Sequence, residues 1–329
     1  MSVRDYSSAV SNVFEGETSS GLAAELLRFV LDSQNGDGGW GYRSAAASRV
    51  EATSWAVAAL LNLPGDPGLA AARRGADWLR QAQLPDGLWP SHPGMGGATW
   101  ATSSACLALI RAGESSDAIA RGASALCQFR PREGGGLWWR IESRLLHPTR
   151  NVTQDFSLHG WSWIPGTVSW VIPTALALIF LQNIPEGSRP KDARKRMEVA
   201  EAMLFDRTCP GGGWNIGNPM VYGVGGVPLH EPTAWALLAL HHRAERPEVQ
   251  RSLAWLESAY LESRGALSFS LGHMCLRTYG RPAPPLEPEL GRCWAADRFL
   301  ENISTAALGV MALLPDAERS LWYQGGINQ

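Results

Sequence analysis

The chain has 329 residues, 45% of them hydrophobic and 18% charged, with a formal net charge of −2. That balance excludes a basic nucleic-acid-binding field, and the length allows one large domain or two ordinary ones. Five Cys without paired spacing fit reduced thiols and a cytoplasmic location. Met1 to Tyr6 carries Arg4 and Asp5 and no apolar h-region, so no signal peptide is read there. The longest apolar stretch, Val168 to Leu181, is interrupted by Pro173 and falls short of the roughly 20 residues of a membrane span. The unusual entries are 15 Trp and 35 Gly. Trp needs a partner for its N–H when buried, so this many copies point to a structural repeat, an aromatic-lined cavity, or both.

Taken in order, Ser2 to Phe14 is a modest helical segment, and Leu22, Leu26, Leu27, Phe29 and Val30 mark an amphipathic helix over 21–33. It ends at Gln34-Asn35-Gly36-Asp37-Gly38-Gly39-Trp40, where the Gly-rich run forces a turn. An almost unbroken apolar run follows over 51–63, opened by Glu51. The pattern then restarts. Amphipathic helices are expected over 69–83, 115–129, 190–205 and 246–262, and apolar ones over 99–112, 167–184, 231–243 and 301–314. Trp40, Trp89 and Trp138 stand at equal intervals of 49 residues, the mark of an internal repeat. Trp214 and a weaker copy at Gly265–Phe269 continue it in a stretched register.

Two segments without clear periodicity read as insertions, near 139–166 and 271–298. Helices apolar all round are buried on every side, and half-apolar ones cover them. The expectation is therefore an all-α domain over 1–329, with two concentric rings of about five or six helices each. The first helix and the tail would supply a sixth pair.

The turns Gln34-Asn35-Gly36-Asp37-Gly38-Gly39-Trp40 and Gln83-Leu84-Pro85-Asp86-Gly87-Leu88-Trp89 resemble the QW repeats of squalene–hopene and oxidosqualene cyclases. The related protein prenyltransferase β-subunits share the α/α-toroid fold. The resemblance covers nearly the whole chain and implies a single toroid, where triterpene cyclases carry two. It is more specific for fold than for activity. Those cyclases protonate an alkene or epoxide with the middle Asp of an Asp-x-Asp-Asp-Thr-Ala motif opening an inner helix. Matched on Thr233-Ala234, that acid falls on Glu231, while Leu229 and Pro232 replace its companions. The equivalent position in the first repeat is Glu51.

Cationic cyclisation needs a protonated carboxyl, aromatic faces for the cation and an apolar, water-free cavity. Glu231, Glu51, His230, Asp155 and His159 are the candidate catalytic residues. Trp55, Trp100, Trp161, Trp163, Trp170, Trp235 and Tyr222 are the candidate substrate contacts. Each has a plainer reading. A Glu in the first turn favours the helix dipole, and Asp155 with His159 can be a loop hydrogen bond. The expected ligand is an isoprenoid or another apolar small molecule, without cofactor or metal, and peripheral membrane contact is left open. Alternatives are a non-catalytic toroid that binds lipid or protein, and a polysaccharide-processing α/α toroid with paired carboxylates in a groove.

Overall fold

The computed structural model describes residues 21–61, 66–114, 117–134 and 154–314. Twelve α-helices alternate between two layers among them. The inner helices are α2 (Val50–Leu60), α4 (Thr99–Arg111), α6 (Val171–Asn183), α8 (His230–Ala239), α10 (Ala266–Thr278) and α12 (Ile303–Leu313). The outer helices are α1 (Gly21–Asp32), α3 (Asp66–Ala82), α5 (Asp117–Gln128), α7 (Ala193–Asp206), α9 (Pro247–Ala259) and α11 (Leu286–Asp297). Each inner helix packs on the next, and α12 packs back on α2, so the inner ring closes. Two short antiparallel hairpins complete the elements: β1 (Trp89–Pro90) with β2 (Gly97–Ala98), and β3 (Met220–Val221) with β4 (Val224–Gly225). No helix among the described residues is long and apolar enough to cross a membrane.

The inner helices are small-residue helices. In α2 every residue from Ala52 to Leu60 is buried, and Ala, Ser and Thr predominate. Small side chains let six helices approach around one axis. Their hydroxyls turn back onto their own helix: Ser54 Oγ donates to Val50 O at 2.7 Å, Ser103 Oγ to Thr99 O at 2.9 Å, and Ser270 Oγ to Ala266 O at 2.8 Å. These three buried hydroxyls are thus satisfied without a partner from a neighbour. Outer helices present one apolar face, as α3 does with Ala71, Ala72, Ala76 and Leu79.

One device joins outer to inner helices in four repeats. A Trp in the connecting turn gives its backbone N–H to a Thr of the following inner helix, and its indole N–H to a carbonyl at the end of an outer helix. Trp40 uses Thr53 and Val30, Trp89 uses Thr102 and Leu79, Trp161 uses Thr174 and Leu126, and Trp214 uses Thr233 and Leu204. All four indoles are fully buried. The next outer helix makes room with glycine. A Cβ on Gly75 would stand 2.7 Å from the Trp40 ring, and one on Gly122 would stand 3.0 Å from Trp89.

Two expectations change. Trp138, placed third in the repeat by its interval, lies outside the described residues, and Trp161 holds that structural position instead. The stretch 271–298 is helical rather than irregular, and it forms most of the fifth inner and sixth outer helices, α10 and α11. Ser268, Ser270, Gly272 and His273 had broken the apolar run, although α10 buries Phe269, Leu271, Met274, Cys275 and Leu276. The sixth pair therefore does not come from the first helix and the tail. Ser2 to Phe14, the tail from 315, and 139–153 of the other expected insertion lie outside the described residues.

Candidate functional site at the mouth of the inner ring

Each inner helix follows an outer helix, so the inner-helix starts gather at one end of the toroid, and in four repeats the Trp turn leads into them. Backbone bonds tie these starts together: Thr99 N–H donates to Trp163 O, Val171 N–H to Ile216 O, and Ile303 N–H to Tyr42 O. That end is the mouth. In the shared register, the residue two before the turn-binding Thr faces it: Glu51 on α2, Trp100 on α4, Ile172 on α6 and Glu231 on α8. These four are only partly buried, whereas the helix residues behind them are almost wholly buried.

One turn deeper, the ring is crossed. Trp55 lies four residues after Glu51, and Trp235 four after Glu231. Their helices, α2 and α8, are opposite members of the ring. The two indoles nevertheless meet and stack, centroids 5.7 Å apart and planes 27° from parallel. They are 3% and 5% exposed, so they floor the mouth and close the ring beneath it. Trp100 meets Trp163 edge-on at 5.8 Å on the rim.

The two carboxyls differ in their hydrogen bonds. Glu51 Oε2 accepts from the Tyr42 hydroxyl at 2.7 Å, and the Trp55 side chain also bonds to this carboxyl. Burial raises the Glu51 pKa, and these two bonds offset part of the rise. The Tyr42 hydroxyl is itself raised, by burial first and by Glu51 second. Burial also raises Glu231, against a Ser268 bond that is long at 3.4 Å and the nearby His230. Of the two, Glu231 is held by the fewer and longer side-chain hydrogen bonds.

The remaining candidates fall elsewhere. Asp155 is exposed and accepts from Ser157 N–H and Oγ, as Asp37 accepts from Gly39 N–H and Asp86 from Leu88 N–H. It is a turn-holding Asp. His159 and Gly160 give their carbonyls to the buried Arg196, whose guanidinium covers the Trp161 ring at 3.9 Å. The imidazole of His159 is held below its ordinary pKa by burial and by Arg196. Trp161, fully buried, is thus a packing residue rather than a substrate contact. His230 bonds Ala259 O at 2.7 Å and faces Trp255, toward α9. Trp170 precedes α6 and accompanies the turn at Gly217. Tyr222 caps the β3–β4 hairpin, 78% exposed. Sequence reasoning missed Tyr42 and Ser268. Tyr42 follows Trp40 by two residues and carried no motif, and Ser268 sits on the unrecognised α10.

Among the described residues, no three or more His, Cys, Asp or Glu gather as a metal site. No protein-family model matches the chain. It has the α/α-toroid fold of the terpenoid cyclases. The type II terpene cyclase MstE from Scytonema, in complex with geranylgeranyl dihydroxybenzoate (substrate), superposes with a TM-score of 0.58 at 14% identity, covering 98% of this chain and 100% of that one. Lanosterol synthase of Mus musculus is 35% identical over 79 residues, which is 21% of this chain and 11% of that protein. Drimenyl diphosphate synthase of Streptantibioticus cattleyicolor is 41% identical over 73 residues, 22% of this chain and 13% of that protein. The match thus spans little more than a tenth of these curated relatives' length.

Proposed function

We propose that the protein cyclises or rearranges an isoprenoid by protonating an alkene, with Glu231 as the acid. The observation that carries this reading is a carboxyl raised by burial, one helical turn above two stacked indoles, at the mouth of an otherwise apolar ring. Similarity to MstE and to the two synthases supports the same class of chemistry.

In this mechanism the Glu231 carboxyl gives its proton to one alkene carbon, and the alkene's electron pair forms the new C–H bond. The adjacent carbon becomes cationic and takes electrons from the next double bond, closing a ring. The Trp100–Trp163 pair on the rim, above the stacked Trp55 and Trp235, offers aromatic faces to that charge, each worth about 0.5–2 kcal/mol. Loss of a proton from the final cation makes a new alkene, and its return to the Glu231 carboxylate restores the acid. Glu51, pinned by Tyr42 and Trp55, shapes the opposite side of the mouth.

The test is incubation of the purified chain with geranyl, farnesyl and geranylgeranyl diphosphates and with geranylgeranylated aryl acids, followed by mass-spectrometric product analysis. We expect Glu231→Gln to fold normally and lose about 10²–10⁴ in turnover, the usual cost of removing a general acid. Glu51→Gln is expected to retain turnover. A fully active Glu231→Gln would remove the acid assignment. Because the proton is the electrophile, a chelator is expected to leave turnover unchanged, and its loss on chelation would contradict this route.

A further inference from the structure

Four consecutive residues between α11 and α12 are wound left-handed. Arg298, Phe299, Leu300 and Glu301 have φ of 52°, 56°, 53° and 57°, and the first three have ψ of 37°, 32° and 29°. None is Gly, Asn or Asp. In that region an L-residue sets its Cβ against the following carbonyl, so single Gly or Asn residues visit it and runs rarely form. Among the described residues the other two non-glycine cases, Ala45 and Tyr222, stand singly. Two side chains hold the turn Arg298–Glu301 in place. Phe299 is buried and meets Trp294 edge-on at 5.0 Å, and Arg298 lays its guanidinium over Trp294 at 4.5 Å. Leu300 is 64% exposed, and Glu301 is exposed as well.

The turn stands where the last helices meet the first. Other neighbouring inner helices are linked through the chain between them, whereas α12 and α2 are joined by contacts alone. Trp294 gives its indole N–H to Glu25 at 2.8 Å and meets Phe29 edge-on at 5.4 Å, and Arg298 reaches the Phe29 ring at 5.6 Å. Just past the turn, Ile303 N–H donates to Tyr42 O at 2.9 Å, and the Tyr42 hydroxyl holds Glu51. The strain thus lies on the Glu51 side of the mouth. The indoles beneath are 3% and 5% exposed, so an apolar chain reaches them only when the rim moves. Backbone strain that its surroundings enforce tends to sit at ligand clamps and switches.

We infer that the mouth ends of α12 and α2 part to admit an apolar ligand, and that the left-handed turn is the spring that favours parting. When Arg298 and Phe299 release their ring contacts, the turn relaxes to ordinary backbone. The Ile303–Tyr42 bond breaks, and the rim widens next to Glu51. Below the rim Ala306, Ala307 and Val310 are fully buried, and the bodies of the helices stay packed. Two other joints make the same kind of bond without a spring. Thr99 N–H reaches Trp163 O and Val171 N–H reaches Ile216 O, both at 3.3 Å, with no non-glycine left-handed run beside them among the described residues. The inference rests on the mouth taking an apolar ligand, as proposed above, and not on Glu231 as the acid.

The experiment is hydrogen exchange on the full chain without ligand, reading the Thr99, Val171 and Ile303 amides. The Ile303 bond is the shortest of the three, so bond length alone gives it the slowest exchange. Parting makes it the fastest, by at least about tenfold. Leu300→Gly relieves the closed turn at an exposed position. It is expected to slow exchange at Ile303 by about 5–30-fold, the factor matching the cost of one left-handed residue, and to leave Thr99 and Val171 unchanged. Leu300→Val, β-branched, is expected to speed it. Glu262→Gly, exposed on right-handed backbone, controls for the flexibility of glycine and is expected to slow nothing. In stopped flow, uptake of the uncharged dye diphenylhexatriene is expected to reach a rate plateau that Leu300→Gly lowers by the same factor. Ile303 exchanging no faster than Thr99 and Val171, or Leu300→Gly failing to slow it, overturns the spring. Exchange as expected with no dye uptake, or with uptake that Leu300→Gly leaves unchanged, overturns ligand admission. No turnover is measured, so none of these outcomes bears on Glu231.

Discussion

Thr53, Thr102, Thr174 and Thr233 each accept a Trp backbone N–H at 2.8–2.9 Å inside the protein. Replacing Thr174 with Val keeps the volume and strands that buried donor, a loss of about 1–3 kcal/mol. Denaturant titration of Thr174→Val checks this, and Thr53→Val and Thr102→Val are expected to behave alike. The first three pairs are 13 residues apart, so Thr174 points back to Trp161 in the sequence itself. Spacing between Trp residues alone pointed to Trp138, because it ignored the partner each Trp requires. Glu51 makes a pH prediction of its own. Its folded pKa is raised by burial, so the neutral carboxyl favours the fold and the anion opposes it. That favourable contribution is complete below the unfolded value of about 4.3 and is lost as pH rises through the folded value. Glu51→Gln stays neutral throughout. The melting temperature of the wild type is therefore expected to fall relative to Glu51→Gln between pH 4 and pH 8, and a constant difference would count against a buried carboxyl at this position.

Helices that follow one strong pattern were plain in the sequence, and α10 was not. In α2, α6 and α8 the polar side chains stand mostly near the helix ends, so the apolar runs between them stand out. In α10 the polar Ser268, His273 and Arg277 lie among buried Phe269, Leu271 and Met274, and the amphipathic and apolar periods blur. The signal for α11 was present as Leu286, Leu290 and Trp294, spaced four apart and buried together, after a proline-rich stretch that looked like a loop. The carboxyls of the mouth were legible from the helix-opening motif. The stacking of Trp55 on Trp235 was not, because it depends on which helices face each other across the ring. If α10 is a true member of that ring, Leu276→Ala removes packing from a fully buried site and costs about 2–5 kcal/mol. Thermal or urea unfolding measures it, and a loss below about 0.5 kcal/mol would place this segment outside the core.

At the scale of the molecule, the fold arranges chemistry by ends. The inner-helix starts converge on one face, bringing two carboxyls and the paired indoles together. The closure of α12 on α2 has a further consequence, for kinetics. An open stack of repeats can nucleate anywhere and fray from its ends, because each unit touches only its neighbours. A closed circle has no terminal unit to fray. Its last seam joins segments about 250 residues apart in the chain, so most of the ordering entropy is spent before that seam rewards it. Folding should therefore be slow and late-committing, and unfolding should wait for one seam to open. Hydrogen exchange is expected to show the inner helices opening as one cooperative unit rather than in sequence from either end.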